Sequence, residues 1–81
     1  MPTLGEFIAR AKRYGLSKRR IRVVGPRGTA SLSYLWRDLD HFVGLPDIPE
    51  DHRLECGTVL ALCRRLGIPA EDFGLEEGRS I

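Results

Sequence analysis

No run of this sequence comes near the roughly 20 consecutive apolar residues that a bilayer-spanning helix needs, because charged side chains recur from Glu6 onward. The same charges interrupt any apolar core of a signal peptide, so a cytoplasmic protein with no membrane partner is the expectation. Cysteine is scarce, with only Cys56 and Cys63 present. Both fall in a segment with helical periodicity, where a rise of about 1.5 Å per residue puts their Cα atoms roughly 10 Å apart. A disulfide needs less than about 7 Å, so reduced thiols are expected. No C-x2-C pair accompanies His52, Cys56 and Cys63, so the pattern calls for no metal and no cofactor. A phosphate-binding P-loop is also missing, because Gly25-Pro26-Arg27-Gly28 lacks the lysine and the Ser/Thr that must follow it.

Acids are almost absent from the first 36 residues, where Glu6 stands alone against Arg10, Lys12, Arg13, Lys18, Arg19, Arg20, Arg22 and Arg27. That segment carries +7, the remainder carries −5, and the overall +2 conceals the division. A cluster of cations this dense attracts polyanions, and arginine's planar fork matches phosphate oxygens. These eight residues are the candidate RNA contacts. At 81 residues, 42% of them hydrophobic and 30% charged, the chain has enough apolar material for one small core.

The local signals predict an α+β domain ordered α-β-β-β-α. Thr3 and Glu6 fit a capping box ahead of an apolar stripe formed by Leu4, Phe7, Ile8 and Ala11. Gly15 suits the left-handed turn that follows. Arg20-Ile21-Arg22-Val23 alternates as a strand with Ile21 and Val23 facing inward. After the Gly25–Gly28 turn, Ala30, Leu32, Tyr34 and Trp36 share one face, with the two aromatics assigned to core packing. Ser31 and Ser33 point the other way and are possible ligand contacts. His41–Leu45 forms the third strand, and the prolines of 46–53 impose a loop. A second helix from Cys56 or Gly57 to Leu66 buries Val59, Leu62, Cys63 and Leu66 and stops at Gly67. Ile68 folds back on it, and Ala70–Phe73 makes a short turn docked by Phe73. Both helices on one face of a three-stranded antiparallel sheet give a two-layer sandwich over residues 1–75, with 76–81 as a disordered tail.

The segment Leu54-Glu55-Cys56-Gly57-Thr58 through Leu66-Gly67-Ile68 resembles the end of HicA-type toxins, as does the acidic stretch Glu71-Asp72-Phe73. The opening helix, the strand order and Pro46 at the end of strand three follow the same family, so the resemblance spans about residues 4–74. It implies a double-stranded-RNA-binding-domain-like fold, metal-free RNA cleavage and neutralisation by an antitoxin-like protein. It also implies a histidine in a Gly-Ser-His motif at the start of strand two. Here that position reads Gly28-Thr29-Ala30, and a shift to Gly25-Pro26-Arg27 substitutes arginine instead.

The departure matters chemically. Metal-free cleavage needs a base near neutral pKa to take the 2′-hydroxyl proton; alanine has no proton chemistry, and arginine stays protonated. Loss of such a group costs about 10²–10⁴ in rate. The remaining histidines, His41 and His52, are the candidate substitutes. Two function classes follow: an RNA-binding HicA-like protein, or a protein-interaction module that uses the acidic loop Asp47 to Glu55 or the open sheet face.

Overall fold

Thr3 and Glu6 form the expected reciprocal cap. In the computed structural model, which describes residues 1–75, Thr3 Oγ1 accepts from the Glu6 N–H at 3.2 Å and Glu6 Oε1 accepts from the Thr3 N–H at 2.9 Å. The helix that follows, α1 (Leu4–Lys12), buries Leu4, Phe7, Ile8 and Ala11. Gly15, at φ +81°, then turns the chain toward the sheet through a backbone region that favours glycine. The expected tail, 76–81, lies outside the described residues.

Three antiparallel strands lie in the order β1 (Ser17–Gly25), β2 (Gly28–Asp38) and β3 (His41–Gly44). The β1–β2 ladder runs unbroken from Ser17↔Trp36 to Gly25↔Gly28, closed by Pro26 and Arg27. Gly28, at φ +119°, supplies the positive dihedral that this tight reversal requires. The β2–β3 ladder pairs Leu35 with Val43 and Trp36 with Phe42, and its register shifts between Trp36 and Asp38.

The chain then passes through the proline loop into α2 (Cys56–Leu66), whose buried side chains are Val59, Leu62, Cys63 and Leu66. Gly67, at φ +72°, ends it, and the Ile68 N–H donates to the Cys63 carbonyl at 3.0 Å. That is the left-handed stop with a folded-back apolar residue. A 3-10 turn at Ala70–Phe73 stacks Phe73 on Phe7 with ring centroids 5.1 Å apart. Both helical stripes join Leu16, Leu35, Leu54 and Ile68 in one core on one face of the sheet. Each such fully buried leucine or phenylalanine contributes about 1.5–3 kcal/mol.

The covered face is not the expected one. Leu35 is the sealed residue of β2, whereas Ile21, Val23 and Leu32 are 46%, 45% and 53% exposed. Tyr34 and Trp36 are half-buried and lie outside the core. The alternation itself is right: Ile21, Val23, Ala30, Leu32, Tyr34 and Trp36 do share a side. That side faces away from the helices, because Leu35 and Val43 supply the apolar pair over which the helices close.

The hairpin also extends beyond the body. Every residue from Arg19 to Leu32 is exposed, and the molecule measures 49 × 26 × 24 Å. Its radius of gyration of 13.9 Å exceeds the roughly 12 Å of a compact chain this long.

Candidate nucleic-acid interface

The eight candidate cations do not form one patch. Arg10 is committed within the fold: its Nη1 donates to the Asp72 carbonyl at 3.0 Å and its guanidinium lies 5.5 Å from the Phe73 ring centroid. Tyr14 donates its hydroxyl to the carboxylate of the same Asp72. Lys12 and Arg13 are exposed at the end of α1. Lys18 reaches Glu50 Oε2 at 3.2 Å, so the acidic loop already neutralises it. Arg19 lies on the open face, 4.1 Å above the Trp36 ring.

On the hairpin, Arg20, Arg22 and Arg27 are exposed and, like Lys12 and Arg13 on α1, have no acidic partner among the described residues. The ladder places Arg20 opposite Ser33 and Arg22 opposite Ser31, with Val24 opposite Thr29. Directly paired residues share a face. Arg20, Arg22, Ser31, Ser33 and Thr29 therefore form one stripe of guanidinium and hydroxyl donors on the helix side of the hairpin. Arg27 extends it at the tip. The serines were legible as possible ligand contacts from alternation; their pairing with the arginines required the register.

At its base the stripe enters a cleft of about 300 Å³ floored by Leu4 and Ile8. Lys18, Arg20, Ser31 and Ser33 form one wall, and Asp47 and Glu50 the other. The facing carboxylates repel a phosphate from the cleft itself, so the outer stripe, Arg22 and Arg27 above all, is where a polyanion meets no opposing charge.

The motif position Gly28-Thr29-Ala30 is exposed at the hairpin tip. His41 is far from it. It pairs with Asp38 at the other end of β2, and the intervening strand spans about 27 Å at roughly 3.4 Å per residue. His41 Nδ1 contacts Asp38 Oδ1 at 2.7 Å. Its ring also lies against Gly67, and Arg37 Nε stands 3.6 Å from Asp38 Oδ2. The hydrogen bond from His41, reinforced by the Asp40 N–H, holds the Asp38 carboxyl below the ordinary aspartate range. Sequence reading missed Asp38 as the partner; its signal is the short spacing across the β2–β3 turn. His52 is exposed in the loop and serves through its backbone, accepting from the Leu4 N–H at 2.9 Å. The structure brings neither histidine to the motif position.

Cys56 is exposed and Cys63 is buried. Among the described residues no three His, Cys, Asp or Glu side chains gather as a metal site would need, and no helix is long and apolar enough to cross a membrane.

No protein-family model, curated protein or solved structure matches this chain.

Proposed function

We propose that this protein binds RNA through the outer half of its β1–β2 hairpin, as a HicA-like chain in which binding persists without the family's cleavage histidine. The observation that carries the reading is the unpaired stripe of Arg20, Arg22 and Arg27 beside Ser31, Ser33 and Thr29. Guanidinium groups and hydroxyls alternating along a ribbon suit the phosphates and 2′-hydroxyls of a backbone, which shape-directed RNA recognition uses without reading bases. The resemblance to HicA-type toxins favours RNA over DNA and an antitoxin-like protein as a further partner. The groups at the motif position offer no general base, so binding without cleavage is the expected behaviour.

The test is a titration of labelled protein with a short RNA duplex at low and moderate salt. Salt-sensitive amide shifts within 19–29 support the reading. Arg20→Gln with Arg22→Gln should flatten the salt dependence by roughly 0.7–0.9 per contact removed. An unchanged slope in that double variant overturns it.

A second reading, a protein-interaction module, draws on the exposed Ile21, Val23, Leu32 and Phe42 of the open face. The two readings concern opposite faces of one ribbon and are compatible.

A further inference from the structure

β1 is an edge strand with β2 as its only neighbour. Every other residue of an edge strand turns its N–H and C=O away from the ladder. Among the described residues, none of the backbone groups of Ser17–Gly25 bonds outside that ladder. The strand is nine residues long, contains no proline and has no bulge, so nothing in its backbone blocks a fourth strand. An edge of this length is protected by charged side chains, by a covering element or by a partner. β1 carries Lys18, Arg19, Arg20 and Arg22, which discourage pairing with another basic strand and leave the edge open to an acidic one.

The side chains specify that partner. On the open side β1 presents Ile21 and Val23, about half exposed. On the other it presents Lys18, Arg20 and Arg22. Along the Arg20–Val23 stretch a strand laid alongside meets Ile21 and Val23 on one face and Arg20 and Arg22 on the other. Outside that stretch, Arg19 is stacked on Trp36 on the open face and Val24 adds an apolar group to the arginine face. A second copy of β1 would set like charges against one another, which destabilises a cross-strand pair.

We infer that the free edge of β1 accepts an extended segment of a partner protein in which acidic and apolar residues alternate. The apolar residues join Ile21 and Val23, and the carboxylates lie beside Arg20 and Arg22. Main-chain hydrogen bonds supply the attachment and the alternating side chains the selectivity. Because those arginines are also the RNA stripe, such a segment displaces RNA. This last consequence rests on the proposed RNA binding; the strand addition does not.

The probe is a synthetic peptide matching β1 in length and alternating glutamate with valine and isoleucine. The control has the same composition with the glutamates grouped at one end. With protein alone, the alternating peptide should slow exchange of the outward β1 amides by about tenfold or more, and the control should not. Arg20→Glu with Arg22→Glu should weaken that peptide by about tenfold and accept a lysine-alternating one instead, which shows that the variant is folded. Equal binding of the control overturns the inference. So do shifts confined to Tyr34 and Phe42 with unchanged β1 exchange, or β1 protection that appears with protein concentration and no peptide, which assigns the edge to a second copy. Peptide binding without RNA binding supports strand addition and defeats the RNA reading. RNA binding without peptide binding does the reverse.

Discussion

Ile21 stands directly opposite Leu32 on the β1–β2 ladder, and the pair is left about half in water. Three residues along β2, Leu35 faces Val43 under the helices and is fully sealed. Two apolar cross-strand pairs of similar chemistry therefore have opposite consequences: one leaves apolar surface open to solvent, the other holds the helices to the sheet.

Leu35→Ala should cost about 2–5 kcal/mol, the sum of lost transfer energy and the cavity left beneath the helices. Leu32→Ala should cost far less, about 1 kcal/mol or under, because the removed atoms are already about half in water and leave no sealed cavity. Urea denaturation of both variants checks the contrast, and similar losses would place the core on the wrong face.

Glu50→Gln should strengthen RNA-duplex binding, since it releases Lys18 from its 3.2 Å partner and removes one carboxylate from the cleft wall. The expected gain is a few-fold at low salt and vanishes near 1 M, where the screening length falls to about 3 Å. A fluorescence titration across salt concentrations reads it. The same change in Lys18→Gln background should do less.

Gly67→Ala should destabilise by about 1–2 kcal/mol. Its φ of +72° lies in the left-handed region, and an added Cβ would come within 3.3 Å of the His41 ring. At Gly44 an added Cβ meets nothing within 4 Å, so Gly44→Ala should be neutral or slightly stabilising. Melting temperatures of the two variants test this directly.

Asp38 gives a pH signature. Its folded pKa lies below the ordinary value of 3.8, chiefly because His41 donates to the carboxylate. The stability it contributes is therefore present above 3.8 and is lost as pH falls through the depressed folded value. Asp38→Asn should flatten the acid limb of a stability profile in that window. Glu6, depressed by the Thr3 N–H, acts in the same direction from 4.5 downward.

End-labelled RNA incubated with the protein at neutral pH should remain intact while bound. His41→Ala should leave RNA affinity unchanged, because the residue lies at the far end of β2 from the guanidinium stripe. Cleavage abolished by His41→Ala or His52→Ala in a folded variant would instead establish a ribonuclease centred there.

What could be read from sequence was local. The Thr3–Glu6 cap, the glycine stops and both helical stripes each depend on residues within two turns of one another. Which sheet face is covered depends on where the helices land, and β2 offers apolar residues to both sides, Leu35 to one and Leu32, Tyr34 and Trp36 to the other. Alternation identifies companions and leaves the choice of face open. The cations behave alike. Their number was visible, but Arg10 is spent on Asp72, 62 residues away, and Lys18 on Glu50, 32 residues away. Only the fold reveals which charges are left over.

The projecting hairpin separates two kinds of selection. From Arg19 to Leu32 no side chain is buried, so substitutions there barely touch the stability held by Phe7, Leu35, Val59 and Leu66. Side chains on the ribbon can therefore be exchanged without disturbing the core. Stability alone asks of the ribbon only its alternation and its length, and leaves the identity of each residue to whatever the ribbon meets.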